Sequence, residues 1–588
     1  MGDSAASEEP KPGSPSIEQV PSYGSSFSTH EMLFMRFVEG FRRDPNARIS
    51  KKGTGEDGRG FDMEEAVSNT ASSPLHRKLR GRHLQMIAIG GSIGTGLFVG
   101  SGKVLSDGGP ASVLIAFALI GIMLYTTVHA LGEMAVIFPV AGSFSAFSTR
   151  FIDPAWGFAM GWNYALQWIV VLPLEIVAAA LTVGYWNSPI SPAVWVTIFY
   201  IMIVAINLFG VRGYGEAEFL FSIIKITAIV GFIILGIILD VGGGPNGEYI
   251  GGKYWSNPGA FHNGFKGLCS VFVTAAFAFA GTEMVGLAAA ETANPRRTIP
   301  TAVKQVFWRI TLFYIVSLTL VGLLVPYDDT RLLDGASAAD ANTSPFVISI
   351  KNAGIAGLDS VMNVVIMVAV LSVGNSSIYG SSRTLAALAE QGQAPHILTY
   401  IDRQGRPLVA IGVSSVVGLL GYLAASDAKA DVFVWMLAIS GLSSIFTWAS
   451  VCLAHIRFRR AWKVQGRSLD ELAFRSQPGV VGSYVGLIFN IVILIAQFWV
   501  AAFPIPADDE VLTPAKRVKS FFEIYLAFPL IIGCYFGYKI KCRTKILRAK
   551  DMDLDTGRRD LNIGHLIAEE RAERAEWPMW KKIYKVFC

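Results

Sequence analysis

The chain has 588 residues, 52% of them hydrophobic and only 16% charged, and its mean hydropathy is +0.44. A soluble domain carries about 25% charged residues, so a water-soluble multidomain protein is excluded, as are a disordered chain, a collagen and a coiled coil as descriptions of the whole. The net charge of +5 comes without the basic stripe that would suit nucleic acid.

Residues 1–83 open with a Ser/Pro/Glu-rich stretch and lack a cleavable signal-peptide pattern, so they read as a largely disordered N-terminal tail. Within it, Met32 to Val38 reads equally as a short interfacial helix or as a transient helix without a partner. Twelve apolar stretches follow, each near the roughly 20 residues that a helix needs to cross a bilayer. They run over 84–104, 111–138, 155–185, 192–209, 216–239, 265–290, 302–325, 358–388, 408–424, 432–456, 480–503 and 519–540. The predicted fold is therefore an all-α polytopic membrane protein with twelve transmembrane helices. Basic residues crowd alternate flanks, 22 on one side against 9 on the other. This bias places both termini in the cytoplasm. On the outer side, Asn342-Thr343-Ser344 is a weak glycosylation signal because Pro345 follows it.

Two of these stretches are interrupted. The first contains Gly90-Gly91-Ser92-Ile93-Gly94-Thr95-Gly96, with four glycines in seven residues. Each glycine disfavours a helix interior by about 1 kcal/mol relative to alanine. The sixth contains Phe277-Ala278-Phe279-Ala280-Gly281-Thr282-Glu283, small residues followed by a carboxylate. Interrupted helices in matching places point to a transporter site between inverted repeats. The repeats would be 84–239 (helices 1–5) and 240–456 (helices 6–10), a 5+5 arrangement. Residues 457–540 add two peripheral helices and 541–588 a cytoplasmic C-terminal tail. Unwound N–H groups at one half-helix suit a carboxylate, and freed carbonyls at the other suit an ammonium. A zwitterionic amino acid fits both. The competing explanation is that the glycines only permit close helix packing.

Buried charge within spans is expensive and marks function. Lys225 lies inside the fifth stretch and reads as a cation at membrane depth or as a lysine snorkelling to the interface. Glu133 reads as a proton relay or a structural hydrogen-bond partner. Glu175, after Pro173, reads as a coupling group or a lock on a bent helix. Glu283 reads as a gate or as a tether between half-helices. Arg309 is expected to anchor the inner interface, and Trp448 to serve packing. The five cysteines and eight histidines show no disulfide framework and no zinc spacing. No nucleophile constellation, metal site or cofactor is indicated, and an enzyme is not the expectation. A channel would need rings of carbonyls or charges, and none is evident.

Several motifs together resemble the fungal amino-acid permeases of the amino acid–polyamine–organocation superfamily, the general amino-acid permeases above all. They are Gly90 to Gly102, Leu131-Gly132-Glu133-Met134-Ala135, Ala280 to Glu283 with Glu291 to Arg296, Ser372 to Ser377, His455 to Arg459, the stretch Met552 to Arg559, and the ending Phe587-Cys588. The resemblance implies the fold of the bacterial leucine transporter and uptake of amino acids at the plasma membrane, with protons as the coupling ion and broad specificity. A nutrient-sensing receptor or a permease of narrower range is the alternative. It assigns substrate binding to Ile89, Ser92, Ile93, Gly94, Thr95 and Gly96 in the first break, and to Phe277, Ala278, Phe279, Ala280 and Thr282 in the second, with Phe277 as a gating aromatic. Ser440 would sort substrate side chains, or, as a lone serine in a membrane helix, serve only packing. Lys225 would stand where sodium-coupled relatives hold a cation, with Asn375, Ser376 and Ser377 either lining it or serving only interhelical hydrogen bonds. Lys11, Lys51 and Lys52 would accept ubiquitin from the ligases that drive endosomal cycling. Membrane lipids are the other expected partner. The aromatic and basic C-terminal end suits a membrane surface, with Cys588 a palmitoylation candidate.

Overall fold

A computed structural model describes residues 39–45, 61–91, 93–333, 344–426, 429–505, 513–558 and 576–579. Lys11, Lys51, Lys52, Ser92, Asn342 and Cys588 lie outside the described residues. Among those described, the chain is helical, with two isolated bridges and no strand. This follows from the bilayer, where a span must satisfy its backbone groups internally.

Five helices precede the third apolar stretch: α1 (Met63–Ala71), α2 (Gly81–Gly90), α3 (Thr95–Phe98), α4 (Gly100–Ile137) and α5 (Phe144–Phe151). Then come α6 (Pro154–Val183), α7 (Pro192–Leu208), α8 (Gly210–Asp240), α9 (Gly264–Phe279), α10 (Met284–Ala288) and α11 (Pro295–Arg309), which a π-helical stretch, Ile310–Val316, joins to α12 (Ser317–Leu324). The remainder is α13 (Pro345–Asn352), α14 (Leu358–Glu390), α15 (Leu408–Gly418), α16 (Lys429–Val464), α17 (Gly479–Ala502), α18 (Pro514–Tyr525) and α19 (Ala527–Cys542).

All twelve predicted stretches are occupied by helix, but they are not twelve uninterrupted spans. Nine described helical runs are long and apolar enough to cross a membrane, or ten if the pair α18 and α19, bent by 65°, counts as one. The first stretch is divided between α2 and α3 by its glycines. Its remainder runs through Gly109 (φ +77°) and Pro110 into the second stretch. The fourth, α7, is a shorter apolar helix of 17 residues.

The polar interior and apolar exterior are arranged for lipid. The α6 run and the α9–α10 run are the most enclosed, with 83% of the apolar window buried, against 33% for α8 and α17. The latter two turn Leu220, Ile223, Ile234, Val481, Ile488 and Ile495 outward. The largest contacts join α6 to α14 and α9 to α4. Of these central helices, α9 ends at the second interruption and α6 carries Glu175.

The ends of the chain are docked rather than free where they are described. Asp62 caps α1 by accepting from Glu65 N–H at 3.0 Å. From that helix Asn69 donates to Glu390 O, and Thr70 O accepts from Ala141 N–H. Part of the tail expected to be largely disordered is therefore an ordered helix. Leu79 pairs through its backbone with Glu291 and Ala293, just beyond α10. On the C-terminal side, Arg150 donates to Asp553 O at 2.6 Å and Thr556 O at 2.8 Å, and Arg457 donates to Leu547 O. Met552 and Leu554 are buried. A Cβ on Gly557 would come within 2.8 Å of Ala71, so the two terminal segments meet. Removing a buried donor costs about 1–3 kcal/mol. Arg150→Ala is therefore expected to raise the rate at which protease cuts 543–558 in the solubilised chain by roughly tenfold or more. An unchanged cutting rate would contradict this docking.

Candidate substrate and coupling site

The first break is built by glycine. The α2 helix ends where Gly91 N–H bonds Ile87 O, and α3 starts after Gly94, whose carbonyl accepts from Leu97 and Phe98. Between them the backbone leaves helical conformation at Gly94 (φ −159°, ψ −142°). The second break follows α9. Ala280 turns to φ −57°, ψ 145° and Gly281 takes φ +96°, in the left-handed region that favours glycine. The two breaks face one another. A Cβ on Gly281 would lie 3.1 Å from Gly91 O, and one on Gly96 would lie 2.5 Å from Ala278 Cα. Close packing and helix interruption, posed as alternatives by the sequence, are both present here.

Unwound backbone in an apolar interior needs partners, and buried cations and hydroxyls supply them. Arg309, only 1% exposed, donates to Ala88 O at the end of α2 and to Thr282 Oγ1 in the second break. It is not an interfacial anchor: α11 begins at Pro295, so Arg309 stands fourteen residues along and reaches inward. Tyr314 Oη donates to Ala278 O at 2.7 Å. Lys225 Nζ, fully buried, donates to Gly90 O at 2.6 Å. Lys225 belongs to the interior and does not snorkel. Two further carbonyls of the second break are satisfied locally: Phe277 O by Ala280 N–H, and Phe279 O by Thr282 Oγ1 at 2.7 Å.

The acids divide into two groups. Glu175 in α6 accepts from Thr95 Oγ1 at the start of α3. Glu283 accepts from Gly281 N–H at 3.2 Å, Tyr164 Oη at 3.1 Å and Trp448 Nε1 at 3.2 Å. It thus ties the second break to α6 and α16, and Trp448 contributes a hydrogen bond as well as packing. Glu133 stands apart, among α4, α16 and the segment before α17. It accepts from His455 Nε2 at 3.1 Å, Arg459 Nη2 at 3.0 Å and Ser476 N–H at 2.6 Å. These bonds join α4 to α16 and to the segment before α17.

Of the α14 residues, Ser372 bonds Lys225 Nζ at 2.7 Å. Ser376 reaches Glu218 and Tyr214, each within 3.3 Å. Asn375 turns to Asn207 of α7 at 2.9 Å, and Ser377 bonds its own helix at Gly374 O. Ser440, in α16, is buried with a hydroxyl that has no hydrogen-bond partner among the described residues. Its neighbour Gly441 lies against the α9 backbone, where a Cβ would meet Val273 O at 2.6 Å. Ile89 lies on the last turn of α2, and Ile93 is buried between the half-helices. Sequence reasoning missed Glu218, Tyr164, Tyr314 and the inward role of Arg309. Helix length was the missing signal: α8 begins at Gly210, six residues earlier than expected, which puts Glu218 in the interior.

Half-helices crossing at their breaks, with buried charges bonded to their ends, define a polytopic membrane protein of the transporter class. Its relatives narrow the class. Residues 83–551 match the family model described as "Amino acid permease". The chain is 58% identical to a general amino-acid permease, GAP2, of Candida albicans, covering 94% of this chain and 93% of that one. It is 53% identical to the general amino-acid permease GAP1 of Saccharomyces cerevisiae, over 97% and 94%, and 50% identical to the histidine permease of the same yeast, over 87% and 84%. The chain belongs to the amino acid permease family. These relatives are transporters, not enzymes.

The Gly96–Ala278 crossing yields a direct test. Forcing a methyl group into close-packed backbone costs about 1–3 kcal/mol. Gly96→Ala is expected to lower the thermal unfolding midpoint of the solubilised protein and to abolish uptake. Gly231→Ala in α8, where a Cβ meets nothing within 4 Å, leaves the midpoint unchanged or raised. Equal midpoints for the two variants would refute the crossing.

Proposed function

We propose that this permease takes up amino acids across the plasma membrane by proton symport, with broad specificity and alternating access around the two breaks. The observation that carries the reading is the pair of crossed half-helices with Lys225 bonded to Gly90 O. The amino-acid names of the relatives and the general range of two of them support the substrate class and its breadth. The half-helix starting at Thr95 offers N–H groups and a positive dipole end to a carboxylate. The chain ends at the second break offer carbonyls to an ammonium once their internal partners yield. Phe277 stands beside them as a gating aromatic, and the unpartnered Ser440 hydroxyl supports a place among the side-chain contacts.

Lys225 is the proposed coupling group. It stands at the end of α2, so its charge state bears directly on whether that half-helix is held or released. Glu175 and Glu283 touch the breaks from α6 and within the second break, and they share the coupling and gating roles. The asymmetry of basic flanks supports cytoplasmic termini. Ubiquitin attachment at Lys11, Lys51 or Lys52 with endosomal cycling, palmitoylation at Cys588 and contacts with lipid are read from the sequence.

In a transporter-deficient cell, this chain is expected to concentrate several labelled amino acids, and a proton uncoupler to abolish the accumulation. Lys225→Met should lose accumulation. Absence of uptake sinks the transport proposal, whereas uptake indifferent to the uncoupler sinks the coupling.

A further inference from the structure

Lys225 is not alone in its pocket. Two turns earlier on α8, toward Gly210, the carboxylate of Glu218 is fully buried. Ser372 Oγ lies 2.8 Å from both Glu218 oxygens and 2.7 Å from Lys225 Nζ. The direct Lys225–Glu218 distance is longer, 3.4 Å. The serine is therefore the bridge, accepting from the ammonium while donating to the acid. On the far side, Ser376 Oγ donates to Glu218 at 3.3 Å and lies 3.1 Å from Tyr214 Oη. Next to Tyr214, Gly215 packs against the His83 ring, whose Nε2 is 3.2 Å from the carboxylate of Glu216 at the surface. A file of polar groups thus leads from the first break toward the start of α8. The other buried charges around it have their own partners: Glu175 accepts from Thr95, Arg309 donates to Ala88 and Thr282, and Arg383 pairs with Glu291.

We infer that Glu218 is the proton acceptor of Lys225, with Ser372 as relay, and that this acid carries the coupling proton away from the first break. The inference rests on the proposed coupling role of Lys225. In the step, an Nζ–H bond of the ammonium breaks and its proton joins Ser372 Oγ. The proton already on Oγ passes to a Glu218 oxygen. A neutral amine and a carboxylic acid result, and the charge of the trio is unchanged. Glu218 then gives its proton to Ser376 Oγ, the proton already on that hydroxyl passes to Tyr214 Oη, and the tyrosine's own proton leaves to water at the start of α8, which restores the carboxylate. Because the acceptor is already paired with Lys225, the first transfer leaves no uncompensated charge in the interior, and the carboxylate formed on release carries the only one until Lys225 is protonated again. Deprotonation also weakens the bond from Lys225 to Gly90 O, so loss of the proton is felt at the end of α2.

The test uses the full chain in a transporter-deficient cell and in vesicles prepared from it. Two readouts are compared: accumulation driven by a proton gradient, and exchange of labelled for unlabelled amino acid across the same membrane. Exchange does not require the proton to leave. One coupled charge at 100 mV is worth about 2.3 kcal/mol, or roughly a 50-fold accumulation ratio. Glu218→Gln is expected to bring that ratio close to unity while exchange continues. Ser372→Ala is expected to act in the same direction, and Glu218→Asp to recover part of the accumulation. Normal accumulation in either Glu218→Gln or Ser372→Ala overturns the relay. So does loss of exchange together with accumulation in variants that reach the membrane, because Glu218 would then support the substrate site. Should Glu218→Gln fail to reach the membrane, Ser372→Ala decides alone. Failure of the coupling proposal itself is seen separately, in the unsubstituted chain, as uptake that ignores the proton gradient.

Discussion

Everything at the centre of this protein follows from two unwound stretches of backbone crossing where no water is available. Gly96 leaves no room for a methyl group against Ala278, and Gly281 sits against Gly91. An unwound segment has carbonyls and N–H groups that would each cost several kcal/mol unpaired in such surroundings. Here three of the carbonyls are met by long side chains from neighbouring helices. Ala88 O is held by Arg309, Gly90 O by Lys225 and Ala278 O by Tyr314. The charged residues that seem out of place in a membrane helix are the partners that make the interruptions tenable.

The same arrangement explains how the interruptions can respond to a ligand. A packed helix has no vacant hydrogen-bonding capacity to offer, whereas a carbonyl held by a side chain can exchange one donor for another. Lys225 and Arg309 belong to different helices, α8 and α11, and each grips the end of α2. Arg309 also grips the second break, through Thr282. A change in the Arg309 grip is therefore felt at both breaks, and a change in the Lys225 grip at the end of α2. Glu133, by contrast, is enclosed by His455, Arg459 and Ser476 away from the breaks, and its bonds join α4 to α16.

Much of this was legible in the sequence, and the misreadings share a cause. The glycines of 90–96, the small residues of 277–281 and the buried positions of Lys225, Glu175 and Glu283 could be read because each violates the composition of an apolar helix. Arg309 was misplaced and Glu218 overlooked because hydropathy locates the apolar middle of a helix, not its ends. The α11 helix starts seven residues before the apolar stretch and α8 six before it. Charges that looked interfacial were two or more turns inside. The partners of an acid are invisible in a single sequence: Trp448 and Tyr164 meet Glu283 from helices 165 and 119 residues away in the chain. The tail helix α1 was hidden by the polar composition around it, since docking rather than hydropathy fixes it.

The central claim is that the crossed breaks recognise both charged ends of an amino acid. Competition for binding of a labelled amino acid to the purified full chain tests it most directly. The unlabelled amino acid, its methyl ester and its N-acetyl derivative are compared. Removing either charge should weaken competition by roughly 10- to 100-fold, the worth of a charge-assisted hydrogen bond in a buried site. Equal competition by the ester or by the N-acetyl derivative would contradict the account.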